Sequence, residues 1–214
     1  RFESRGLGDV YKRQMLSSWK VAPALAWGNT VVLKPAEDTP VSATIWARLA
    51  AEAGIPAGVF NVVHGYGPDS VGEALTHDQR VDRITFTGDS STGKVIAGAA
   101  AANLTPVSLE LGGKGANIVF DDANMVNAVD WAAQAIFRNA GQICLAGSRL
   151  YVQESIYDEF VRLLTEKAEQ MRIGDPQDAD TDFGPLASEE HFTKVSGYFP
   201  VSYTHLRAHE TRTY

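Results

Sequence analysis

Short runs of β-branched and apolar residues alternate with longer amphipathic stretches across residues 29–120, and that alternation confines the chain to a parallel sheet flanked by helices. NTVVLK (29–34) predicts the first strand, with Pro35 stopping it. Thr39 and Pro40 signal a helix start, VSATIWARLAAEA carries the helix, and Gly54 closes it as a C-terminal cap before Pro56. GVFNVVHG (58–65) predicts the next strand, ending in the loop Gly65-Tyr66-Gly67-Pro68. DRITFTG (82–88) is a third, leading to a helix over about 91–102 that Asp89 or Ser90 can cap. VSLEL (107–111) and ANIVF (116–120) are strands on either side of Gly112-Gly113-Lys114-Gly115. The pattern then shifts to longer helices, so a domain boundary is expected near Gly113. One helix presents Val126, Val129, Ala133, Ile136 and Phe137, and another Ile156, Phe160, Leu163, Leu164 and Met171. RLYVQ (149–153) is a strand between them, 174–186 a loop, and Ser188 the cap of a last helix.

Charge and cysteine content narrow the function. Nineteen Lys and Arg against twenty-six Asp and Glu give 19 − 26 = −7, a field that repels nucleic acid and anionic lipid. No apolar run reaches the roughly eighteen residues of a membrane span, and one cysteine makes no internal disulfide. No basic-then-apolar leader opens the chain, so a cytoplasmic location is expected, and no metal site is. Residues 1–14 and 200–214 lack either periodicity, are rich in Arg or His, and resemble translated adapter sequence. They are expected to be foreign or disordered, the natural chain running from about Met15 to about Phe199 as a piece of something longer.

Four places carry candidate chemistry. Cys144, the sole cysteine, lies among small residues in FRNAGQICLAGSR. An inert packed thiol is the common reading; room for a carbonyl beside a thiolate held by backbone N–H groups is the other. Glu110 interrupts the apolar strand VSLEL just before Gly112-Gly113, and partial burial there would raise its pKa toward that of a general base; a solvated edge-strand residue is the alternative. Lys34 and Glu37 fall at the C-terminal end of the first strand, where open α/β sheets bind ligands and where the pair can meet ribose hydroxyls or stand solvated. GDSSTGK (88–94) fits seven positions of a phosphate loop, and NIVFD could supply a metal-binding Asp121; but Val95 stands where the magnesium-binding hydroxyl belongs. What survives is a strand passing through Gly88 into a helix whose N–H groups can hold a pyrophosphate.

At these residues the chain resembles the NAD(P)-dependent aldehyde dehydrogenase superfamily. WKVAPALAWGNTVVLKPAEDTP, NVVHGYGP, ITFTG, LELGGK and NAGQICLAGSR occur in that family's order and approximate spacing, across essentially all of residues 15–199. The resemblance implies a Rossmann-like open parallel sheet, with a partial dinucleotide-binding domain over 15–112 and a partial catalytic domain over 113–199. It implies Cys144 as the nucleophile that forms a thiohemiacetal and then a thioester. Glu110 becomes the base that activates the hydrolytic water, which favours hydrolysis over transfer to coenzyme A. Lys34 and Glu37 match the adenosine-ribose residues, Gly67, Gly88, Asp89 and Leu111 further cofactor positions. Asp89 replaces a serine frequent in the family and sets negative charge beside the pyrophosphate. NAD is the expected cofactor, with NADP the alternative, and the full-length parent is expected to be a homo-oligomer. The family's oxyanion-hole asparagine falls at the foreign VYKRQ, and its nicotinamide-ribose glutamate lies beyond residue 214, so an internal fragment of feeble activity is expected. Within the family, members oxidising semialdehydes of aromatic-ring degradation, such as hydroxymuconic semialdehyde, are most similar. A non-catalytic nucleotide-binding module and a phosphate-loop ATPase are the competing readings.

Overall fold

The computed structural model describes residues 8–186 and 188–201. Helix α1 (Gly8–Ala26) leads into β1 (Val31–Leu33), α2 (Val41–Glu52) and β2 (Phe60–Val62), and the short α3 (Val71–His77) follows. Next come β3 (Ile84–Gly88), α4 (Ser90–Asn103) and β4 (Val107–Leu111), then β5 (Ala116–Val119), α5 (Met125–Phe137) and β6 (Arg149–Val152), and finally α6 (Tyr157–Glu169) and α7 (Glu189–Ser196). The strands pair as β1–β2, β3–β4 and β5–β6, each parallel and each joined through a helix. A parallel pair needs such a crossover, so the sequence's alternation is realised as three successive βαβ units.

The helix ends follow local chemistry. Asp89 caps α4 by accepting from the Ser91 N–H, Asn124 caps α5 through the Asn127 N–H, and Ser188 caps α7 through the His191 N–H. Gly54, at φ +86°, takes the left-handed position after α2 that a side chain would resist. Thr39 does not cap α2: Pro40 stands at that position with no side-chain bond, and the Thr39 hydroxyl is buried without a partner.

Two helices were not apparent from periodicity. α3 is too short to show a period, and α1 contains Pro23, which ordinarily marks a break. α1 also begins at Gly8, inside the stretch expected to lie outside the fold. Residues 1–7 and 202–214, which hold the rest of the two expected foreign ends, fall outside the described residues. Among the described residues no helix is long and apolar enough to cross a membrane.

The clearest core lies in the third unit. Val119 of β5, Val129 and Ala132 of α5 and Phe160 of α6 are buried together, with Leu150, Val152, Leu163 and Leu164 packed around them. The buried stripe of α5 runs through Val129, Ala132 and Ala133, whereas Val126 points outward, 70% exposed, contrary to the expected face. Met171 lies past the end of α6 rather than on it. Removing two buried methyl groups by Val129→Ala should cost about 2 kcal/mol, read as a lower urea midpoint with an unchanged slope. An unchanged midpoint would mean that this cluster does not hold the third unit together.

The β3–β4 pair positions chemistry because its two faces differ. Register pairs Thr85 with Ser108 and Thr87 with Glu110, so these four side chains share one face, while Phe86, Leu109 and Leu111 share the other. α4 covers the apolar face closely. A Cβ on Gly93 would come within 2.7 Å of Leu111, and one on Gly88 within 2.5 Å of the Phe86 ring. Both glycines therefore permit approaches that no other residue allows.

Candidate active site

The single cysteine is presented by a turn. After α5 the backbone takes three consecutive left-handed residues, Asn139 (φ 56°), Ala140 (φ 53°) and Gly141 (φ 73°). Left-handed geometry is tolerated by asparagine and glycine but costs an alanine roughly 1–2 kcal/mol, so the surroundings must impose it. Cys144 and Leu145 then occupy the corners of a turn closed by the Ala146 N–H donating to the Ile143 carbonyl at 3.0 Å. Among the described residues, the N–H groups of Ile143, Cys144 and Leu145 make no hydrogen bond. Cys144 is a half-buried residue in a turn with unpaired N–H donors.

The small residues around it serve close packing. Ala146 is buried, and Gly147 fits where a Cβ would lie 3.2 Å from Asn117 and 3.3 Å from Ala135. The Gly147 N–H donates to the Ala135 carbonyl, returning the chain to α5. Gly113 joins this loop to β4, because a Cβ there would come within 3.1 Å of the Cys144 carbonyl oxygen. The segment that leaves β4 just after Glu110 therefore packs against the cysteine turn.

Glu110 occupies the polar face of β3–β4 and is exposed, so the partial burial expected for it is not found. The reason is structural: β4 pairs only with β3 among the described residues, and the neighbours on that face are themselves polar. Two features there escaped the sequence. Lys20 of α1 reaches across to donate to the Thr85 hydroxyl at 2.6 Å. Burial pushes its ammonium below the usual lysine range, and the nearby Glu110 carboxylate pulls it back up. Thr87, the register partner of Glu110, has a buried hydroxyl with no partner, an unmet polar atom beside the carboxylate. Threonines alternating in Ile84-Thr85-Phe86-Thr87 were the available signal, since a strand between helices has little reason for a polar face.

Lys34 and Glu37 meet as a pair at the C-terminal end of β1. The Lys34 ammonium lies 2.9 Å from the Glu37 carboxylate and also donates to the Pro35 and Gly65 carbonyls. That last bond, at 3.1 Å, ties β1 to the glycine loop after β2. Gly67, in the same loop, accepts at its carbonyl from the Glu73 N–H, and a Cβ on Gly72 would meet its Cα at 2.8 Å. Gly88 and Leu111 end paired strands side by side, with the Leu111 side chain turned to α4.

The phosphate-loop reading finds no support. Such a loop must stay open ahead of its helix, but α4 begins at Ser90, so Gly93 and Lys94 are already helical and the Gly93 N–H donates to the Asp89 carbonyl. Asp121 is engaged by Gln153 at 2.7 Å and Ser155 at 3.3 Å. The Asp89 carboxylate accepts from Ser91 and lies 3.6 Å from the Lys194 ammonium of α7; those contacts hold its carboxyl below the usual aspartate range, the hydrogen bonds from Ser91 foremost.

Residues 14–203 match the aldehyde dehydrogenase family. The chain is 50% identical over 185 residues to 2-hydroxymuconic semialdehyde dehydrogenase of Pseudomonas sp. strain CF600, an alignment covering 86% of this chain and 38% of that protein. Among solved structures it is similar to PnpE from Pseudomonas sp. WBC-3, determined in complex with nicotinamide adenine dinucleotide, at 48% identity and a TM-score of 0.84, covering 89% of this chain and 39% of that one. Betaine aldehyde dehydrogenase betB from Staphylococcus aureus, solved with NAD+, matches at 44% identity and a TM-score of 0.83, covering 88% and 37%. The chain therefore spans a little over a third of the length of these relatives.

Proposed function

Because the chain belongs to the aldehyde dehydrogenase family, we propose that Cys144 and Glu110 are the nucleophile and the general base of an oxidation that converts an aldehyde to a carboxylic acid with NAD+. The observation that carries this reading is the turn at Cys144: a half-buried cysteine, unpaired N–H groups in its turn, and the close packing of Gly113, three residues after Glu110, against the Cys144 carbonyl.

The chain's own groups suit each step. The Cys144 thiolate attacks the carbonyl carbon, the C=O electron pair moves to oxygen, and the free N–H groups of the turn are the donors at hand for that oxyanion. When bound, NAD+ supplies the hydride acceptor that converts the adduct to a thioester. Glu110 then removes a proton from water, the hydroxide adds to the thioester carbon, and the C–S bond breaks to release the acid and restore the thiolate. Lys20 sets positive charge within electrostatic reach of Glu110.

The residues present fit a dinucleotide at its ribose and at its reacting end. Lys34 and Glu37 form a donor–acceptor pair where ribose hydroxyls can be held, and the Glu37 carboxylate disfavours a 2′-phosphate, which favours NAD over NADP. The unmet Thr87 hydroxyl offers a polar contact beside Glu110. At α4 the fit is looser, since the Asp89 carboxylate has to turn off Ser91 before a pyrophosphate can use those N–H groups. A semialdehyde of the hydroxymuconic type is the substrate class favoured by the 50% identity to the Pseudomonas relative. A division at Gly112–Gly113 would place the β1–β4 half on the cofactor and the β5–α7 half on the nucleophile.

Alkylation tests the reading without requiring turnover. Iodoacetamide should modify Cys144 at least about tenfold faster than free cysteine at neutral pH, at a rate that NAD changes. Modification no faster than free cysteine, together with indifference to NAD, would remove the catalytic role.

A further inference from the structure

Resting on the role proposed for Cys144, we infer that Asn139 is a positioning residue that clamps the turn presenting the sulfur. Its side-chain amide donates to the Gln142 carbonyl at 3.0 Å, while the Gln142 N–H donates to the Asn139 carbonyl at 3.0 Å. Residues 139–142 are thus closed twice, once by main chain and once by side chain, immediately before the Ile143–Ala146 turn that carries Cys144. The left-handed run Asn139-Ala140-Gly141 aims the chain into that turn, and Gly141 fits there because a Cβ would lie 3.1 Å from the Ile136 carbonyl oxygen.

Asparagine is not the residue that stability alone selects at this position. Its amide oxygen is buried with no partner. Exchanging the ends of the amide does not help, since the oxygen would then face the Gln142 carbonyl and the clamp would be lost. Glycine would adopt φ 56° without strain and would remove the unmet oxygen. What asparagine adds is the bond to Gln142, and through it a fixed direction for the next two residues. A side chain kept at a cost to the fold, three residues before the turn that delivers the nucleophile, is the pattern of a residue held for function.

Asn139→Gly separates the two roles, with Asn139→Asp as a second variant that keeps the side-chain volume and loses the donor. In the full chain, three quantities are compared with the parent: thermal unfolding, hydrogen exchange of residues 140–146, and the pH profile of Cys144 alkylation by iodoacetamide. Asn139→Gly should melt at or above the parent temperature. Its 140–146 amides should nonetheless exchange faster, and Cys144 should react about tenfold or more slowly, with a pH profile that differs from the parent's. Asn139→Asp should show the same slowing. Unchanged exchange in both variants overturns the clamp. Faster exchange with an unchanged alkylation profile overturns the positioning role. Parent alkylation no faster than free cysteine defeats the nucleophile reading itself, while exchange still decides whether the clamp exists.

Discussion

Cys144→Ala is expected to lower aldehyde-dependent NADH formation at least about 10⁴-fold relative to the parent, whatever the parent's absolute rate. An aldehyde carbon gives up hydride readily only after a nucleophile has made it tetrahedral and placed negative charge on its oxygen. The cysteine of the Ile143–Ala146 turn is the chain's only thiol, and the N–H groups of Ile143, Cys144 and Leu145 make no hydrogen bond among the described residues. With alanine those donors remain but the covalent bond does not, and the residual rate must come from hydrated aldehyde reaching the cofactor unaided. Cys144→Ser should do little better, because a serine hydroxyl is hardly ionised near neutral pH. Stopped-flow absorbance of NADH provides the check, and a loss smaller than tenfold would mean that the sulfur is not the nucleophile.

Glu110→Gln should split the reaction at its second half. The side chain is exposed and nearly isosteric with glutamine, so the fold should be unaffected. Thiohemiacetal formation and hydride transfer need no base at this position, so the first equivalent of NADH should still appear. Hydrolysis does need one, and steady turnover should fall about 10²- to 10⁴-fold. Rapid mixing would show a burst followed by near silence, and intact mass would show an acyl group held on Cys144. A steady rate equal to the parent's would assign the base elsewhere. Exposure of Glu110 does not weaken the expectation, since a general base must reach water and the attacked carbon, and neither requires burial.

Strand VSLEL, the caps at Asp89 and Ser188 and the left-handed Gly54 were legible in the sequence, because each expresses itself within a few residues. The placement of Lys34 and Glu37 together at the end of the first strand was legible for the same reason, though not their ion pair. Lys20 was not, since a lysine in a helix looks like surface until the strand it crosses is known; its bond to Thr85 spans sixty-five positions. Glu110 is exposed, as in the edge-strand alternative; the sequence left burial and exposure both open because the outcome depends on which strands lie beside β4, a property of topology rather than of local pattern. Val126 and Met171 were assigned to buried faces by spacing alone, and the true stripe of α5 follows from where β5 and α6 press against it. The small residues near Cys144 were read as room for substrate, whereas Ala146 and Gly147 pack the loop against Asn117 and Ala135.

The groups at 110 and 144 are expected to converge on one reacting carbon. Cysteine introduced by Glu110→Cys, beside the chain's single native thiol, can be treated with dibromobimane, which fluoresces fully only when both of its bromides are displaced. Convergence predicts a bright, internally bridged chain whose cross-linked peptide contains residues 110 and 144. Two singly modified thiols with no bridge would contradict it.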